Sequence, residues 1–136
     1  MARYKIEDIE GIGPAIGEKL RAAGIASTEA LLEICRTQAQ RAALAEKTGL
    51  SESQLLKFTN MADLYRINGI GSEYSELLEA AGVDTVPELA NRNAANLAQA
   101  LATANTAKNL TRRAPALVTV SKWIEQAKSL SRVIEY

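Results

Sequence analysis

The 136 residues carry sixteen lysines and arginines against sixteen aspartates and glutamates, so the broad positive field that draws a protein to nucleic acid at long range is missing and any such binding must be local. Apolar residues make up 47% of the chain but aromatics only 4%, which argues for helices packed through small and aliphatic side chains and against a β-sandwich rich in Val, Tyr and Phe. Histidine is absent and Cys35 stands alone, which excludes an internal disulfide framework and a cysteine metal site within one chain.

The opening "MARYKIEDIEG" has no apolar run resembling a signal segment, and no stretch of about 18 apolar residues follows that could span a bilayer. The expectation is a cytoplasmic protein with no membrane partner. Ile6 and Ile9, three apart, predict a short helix running into Gly11-Ile12-Gly13, and a second helix follows until Gly24. A chain reversing between helices in about three residues needs positive φ or close backbone approach, which glycine tolerates best. Gly11 and Gly13 then stand at the opening of a helix, where N–H groups lack intrahelical partners and the dipole is positive, so a phosphate can dock. Pro14 favours the helix start but lacks an N–H, leaving the main chain of Gly13 and Ala15 as donors, with Lys19 and Arg21 farther along.

Helices are predicted near 28–35, 38–47 and 52–67, with Thr37 and Gln40, then Ser51 and Gln54, in the reciprocal capping pattern. Cys35, inside "LLEIC", reads as a buried small hydrophobe. The first corner then returns at an offset of 58, "EGIGPAIGEKLRAAGI" at 10–25 becoming "NGIGSEYSELLEAAGV" at 68–83. This is an internal duplication. Further helices are predicted near 86–91, 94–104 and 107–113, Thr85 and Glu88 repeating the capping pattern and Pro115 punctuating the chain. Val120, Trp123, Ile124, Ala127, Leu130 and Ile134 recur at helical spacing, which puts the tryptophan on the buried stripe of a final helix. No linker rich in Gly, Ser or Pro separates the copies, so units 1–66 and 67–136 are expected to pack as one compact domain.

Hydrophobic, Gly, hydrophobic, Gly, three residues, then a small residue (Gly17 or Ser75) resembles the helix-hairpin-helix motif in both copies. The wider pattern "YSELLEAAGVDTVPELANRN" with "RRAPALVTVSKWIEQAKSL" resembles a bacterial family, the domain of unknown function 4332. The resemblance implies an all-α fold of two fused helix-hairpin-helix units. The hairpin motif implies sequence-independent contacts to the DNA backbone, sometimes with a monovalent cation on hairpin carbonyls; the larger family implies no activity. Both copies depart from the DNA-binding pattern, which places a lysine or arginine just after the second glycine, where Pro14-Ala15 and Ser72-Glu73 stand.

Charge is segregated along the chain. Residues 67–91 hold Glu73, Glu76, Glu79, Asp84 and Glu88 with no cation, whereas 92–132 hold seven cations, among them Lys108, Arg112 and Arg113, against Glu125 alone. The second corner, Gly69 and Gly71, is therefore expected to be structural, because its glutamates would repel phosphate. No catalytic constellation, metal-ligand spacing or cofactor loop is evident. The sequence thus leads to a non-catalytic module. It binds DNA or RNA backbone through Gly11, Gly13, Ala15, Lys19 and Arg21, with Lys108, Arg112 and Arg113 as a further basic patch. The alternative is a protein-interaction or self-association scaffold that uses the acidic second corner and the basic C-terminal region, the corner pairing with a basic partner or with that region of a second copy.

Overall fold

The computed structural model describes residues 4–136, and they are all-helical. A 3-10 turn over Ile6–Asp8 precedes α1 (Pro14–Ala22), α2 (Thr28–Ile34), α3 (Gln38–Thr48), α4 (Glu52–Leu64), α5 (Ser72–Ala80), α6 (Val86–Ala90), α7 (Ala94–Lys108) and α8 (Leu117–Ser129). Among the described residues the β pairing amounts to one isolated bridge, Lys5 with Ser27.

Local chemistry sets most boundaries. Thr37 Oγ1 accepts from the Gln40 N–H at 3.2 Å while Gln40 Oε1 accepts from the Thr37 N–H at 3.0 Å. Ser51 and Gln54 make the same exchange before α4, at 3.0 and 3.1 Å. Each pair satisfies an N–H that helix geometry leaves without a partner. Gly49, at φ 79°, ends α3 in the left-handed region, where a side chain would be strained.

Three expectations need correction. Thr85 precedes α6 but makes no side-chain capping bond. Instead Asp63, 1% exposed on α4, accepts the Val86 N–H on Oδ2 at 2.8 Å, and Glu88 Oε2 accepts from Asp84 N–H at 3.2 Å. The helix expected over 107–113 does not form. α7 continues to Lys108, Asn109 turns left-handed at φ 51°, and the Asn105 amide clamps both backbone groups of Thr111 at 2.9 and 3.1 Å, reversing the chain. Finally, α8 stops at Ser129, Leu130 is extended (φ −99°, ψ 139°), and Ile134 is not on its stripe.

Buried side chains form two clusters. The first gathers Ile6, Leu20, Leu31, Leu55, Phe58 and Tyr65 with their neighbours, and the second gathers Leu64, Ile67, Leu78, Leu97, Trp123 and Ile124 with theirs. The chain passes between them at 64–67, where consecutive residues point into different clusters. Ile134, from the far end of the sequence, lies in the first.

Candidate nucleic-acid interface

Gly11 and Gly69 sit at φ 94° and 92°. A Cβ at Gly11 would stand 3.3 Å from the Phe58 ring, and one at Gly69 would stand 3.3 Å from Trp123 Nε1. Neither glycine tolerates a side chain, because the backbone is left-handed and an aromatic already fills the space. The bonds that follow recur at the same offset: Ile12 N–H to Ile9 O at 3.1 Å and Ile70 N–H to Ile67 O at 3.2 Å, then Gly17 N–H to Gly13 O at 2.8 Å and Ser75 N–H to Gly71 O at 2.9 Å.

Surroundings distinguish the two corners. Gly13, Pro14 and Ala15 are exposed, Gly13 caps α1 without a side-chain bond, and the first turn of α1 carries no acidic residue. α5 opens instead with Glu73 in its first turn. Its cap, Gly71, lies half-buried, and a Cβ there would come within 3.8 Å of Tyr4. Tyr4 meets Tyr65 edge to face at 4.7 Å between centroids, and the Tyr65 hydroxyl donates to Asp8 O at 2.7 Å. Burial pushes the Tyr65 phenol up, opposed by the Ser75 and Ser72 side chains that approach it. The opening of α5 therefore faces the first cluster, whereas the opening of α1 faces solvent.

The five residues assigned to phosphate contact divide. The N–H groups of Gly13 and Ala15 lie at the open end of α1, and Lys19 is exposed without an ion pair among the described residues. Gly11 serves the turn, its left-handed φ setting the direction of the chain. Arg21 is engaged elsewhere: its Nε and Nη2 donate to Glu7 Oε2 and Oε1 at 2.7 and 2.6 Å. The Arg21 hydrogen bond holds the Glu7 carboxyl down at about 2, and Glu7 in turn raises the guanidinium. Glu7 also lies over Gly17, where a Cβ would meet its Oε2 at 2.7 Å. Spacing along the chain gave no sign of this pair, since residues fourteen apart on different elements follow no helical rule.

Glu10, immediately before the corner, is the acidic group that sequence reasoning passed over. It is exposed, and its charge acts on Glu76. Burial first, then Glu10 and Glu79, raise the Glu76 carboxyl, against the pull of Lys57 and Lys108. Lys108 ends α7 near this acidic group, whereas Arg112 and Arg113 are exposed on the loop that Asn105 fixes. The three cations of the basic patch are thus split between a helix end and a loop.

Cys35 is fully buried, and desolvation raises its thiol. Among the described residues no group of three or more Cys, Asp or Glu could hold a metal ion. No helix among them is long and apolar enough to cross a membrane.

A family model described as a domain of unknown function (DUF4332) matches residues 10–130. No curated protein and no solved structure matches the chain.

Proposed function

We propose, for a chain that belongs to the domain of unknown function 4332 family and so carries no assigned activity with its membership, a non-catalytic, cytoplasmic module that binds the DNA or RNA backbone weakly and without sequence preference. Its two corners act as helix-hairpin-helix turns in fused units, 1–66 and 67–136. The observation that carries this reading is the contrast between helix openings: α1 presents exposed backbone at Gly13 and Ala15 with no carboxylate in its first turn, whereas α5 is covered by Tyr4 and guarded by Glu73. Uncapped N–H groups at a helix start attract phosphate through dipole and hydrogen bond together, and they read charge without reading bases.

Lys19 supplies the side-chain cation. Arg21 positions the 3-10 turn against α1 through Glu7. Fluorescence anisotropy with labelled duplex and single-stranded DNA across ionic strength tests this division. Each phosphate contact contributes a slope of about −0.9 in log K against log salt for duplex. Lys19→Ala should therefore flatten the slope by about 0.9, and Arg21→Ala should leave it within error. Negligible binding at low salt, or equal losses from both changes, would remove the proposal.

The negative charges of Glu10 and Glu79, which act with burial to raise the Glu76 carboxyl, favour a second reading, in which this acidic face meets a basic protein partner. Reversing the charges of Glu76 and Glu79 separates the two. It should weaken such assembly, and it should leave nucleic-acid binding unchanged or stronger.

A further inference from the structure

Residues 131–136 leave α8 and run back to the first cluster, where main-chain bonds hold them. Ser131 O accepts from Arg66 Nη2 at 2.8 Å, Val133 O from Arg36 Nε at 3.2 Å, and Glu135 O from Arg41 Nη2 at 2.9 Å. Val133 packs against the first cluster, and Ile134, 2% exposed, belongs to it. A cavity of about 210 Å³ lies beside this fixed segment, lined from the segment by Arg132, Ile134 and Tyr136 and from α4 and the start of α6 by Asp63, Thr85 and Glu88.

The fold does not use up the polar groups of this cavity. Thr85 is 5% exposed, yet its hydroxyl makes no hydrogen bond among the described residues, not even to the first turn of α6 that it precedes. No fully buried side-chain oxygen among those residues lacks a partner, so this hydroxyl keeps access to open space, and the cavity that Thr85 lines supplies it. A hydroxyl so nearly enclosed costs stability unless something that enters the cavity bonds to it. Two opposite charges also share the lining without meeting. Glu88 accepts the Asp84 N–H on Oε2 at 3.2 Å and Arg132 donates Nε to Ile134 O at 3.1 Å, but neither forms an ion pair among the described residues. Glu88 Oε1 and the two terminal nitrogens of Arg132 stay available. Both charges act on one neighbour: burial first, then Glu88 and Asp63, push the Tyr136 phenol up, against the pull of Arg132. Asp63 itself is already engaged, Oδ1 by Arg66 and Oδ2 by the Val86 N–H.

We propose that this cavity binds a free aliphatic amino acid, its ammonium on Glu88 and the Thr85 hydroxyl, its carboxylate on Arg132, and its side chain against Pro87 and Ile134. A zwitterion answers both unpaired charges at once, whereas a ligand with a single charge leaves the other unanswered. The guanidinium suits a carboxylate because its N–H donors lie parallel. The cavity is smaller than the roughly 300 Å³ at which sites for drug-sized molecules begin, which restricts the occupant to a small molecule. None of the residues assigned to phosphate takes part, so the two proposals stand or fall separately.

The test titrates L-valine into the isotope-labelled full chain and follows backbone amides by NMR. The amides of Thr85, Glu88 and Asn91 should shift saturably in the millimolar range, with one valine per chain. Isobutylamine lacks the carboxylate and isovalerate lacks the ammonium, so each should bind at least about tenfold more weakly, the loss expected of one charge-assisted hydrogen bond. Arg132→Gln and Glu88→Gln, both at exposed positions, should weaken L-valine binding by the same factor. Thr85→Val, which keeps the size of the side chain and removes the hydroxyl, should weaken it at least about threefold. No saturable shift at these amides, equal affinity for either singly charged analogue, or undiminished affinity in any of the folded variants overturns the proposal. The two analogues are measured on the wild-type chain, so the outcome does not depend on how the variants fold.

Discussion

The Glu7 and Arg21 side chains join the 3-10 turn to α1 with two short charge-assisted hydrogen bonds on an exposed face. Solvent screens such a pair, so its worth lies in geometry more than in stability. Its pH dependence still has a definite sign. Arg21 depresses the folded-state carboxyl to about 2 from an ordinary 4.5, so the stabilisation is complete above about pH 4.5 and is lost as pH falls towards 2. Chemical denaturation at pH 6 and pH 2.5 should show a larger loss for the wild-type chain than for Glu7→Gln. Equal losses would mean that the pair contributes nothing in solution.

Among the elements, α6 owes its start to another helix. Asp63 on α4 accepts from Val86 N–H at 2.8 Å and from Arg66 Nη1 at 2.8 Å, and it is almost wholly buried. Asp63→Ala leaves a buried N–H and a nearly buried guanidinium without their partner and should cost about 3–5 kcal/mol. Asp63→Asn, which retains an acceptor, should cost less, and urea denaturation would rank the two. This bond also explains what the sequence could and could not disclose. Capping at Thr37 and Ser51, the turn glycines and the stripe bearing Trp123 are local, so residue spacing alone revealed them. The substitution of Asp63 for a Thr85 cap is tertiary, as are the Glu7 to Arg21 pair and the docking of Ile134. Residues that meet across 14, 23 or 94 positions leave no periodic trace. The missing helix over 107–113 is a nearer case: the Asn105 side chain takes backbone bonds of Thr111, and Asn109 ends α7 in the left-handed region that asparagine tolerates, preferences that a local reading of asparagine carries.

At the scale of the molecule, α4 sends Leu55, Phe58 and Met61 into one cluster and Leu64 into the other, while residues 131–136 cross back. Two cores sharing a helix and a return segment should lose structure together. Trp123 fluorescence, which reports the second cluster, should follow the same urea transition as far-UV circular dichroism; separated midpoints would mean that the halves melt independently.

The same comparison of halves isolates the functional claim, since Ala15 in α1 and Glu73 in α5 stand at equivalent positions 58 apart. Giving the first helix the carboxylate of the second should favour folding by about 0.3–1 kcal/mol through the dipole while repelling phosphate. The decisive measurement is DNA affinity at low salt for the wild-type and Ala15→Glu chains, with thermal stability followed in parallel. Loss of binding at undiminished stability is the predicted result. Binding that survives the glutamate would show that phosphate does not dock at the opening of α1.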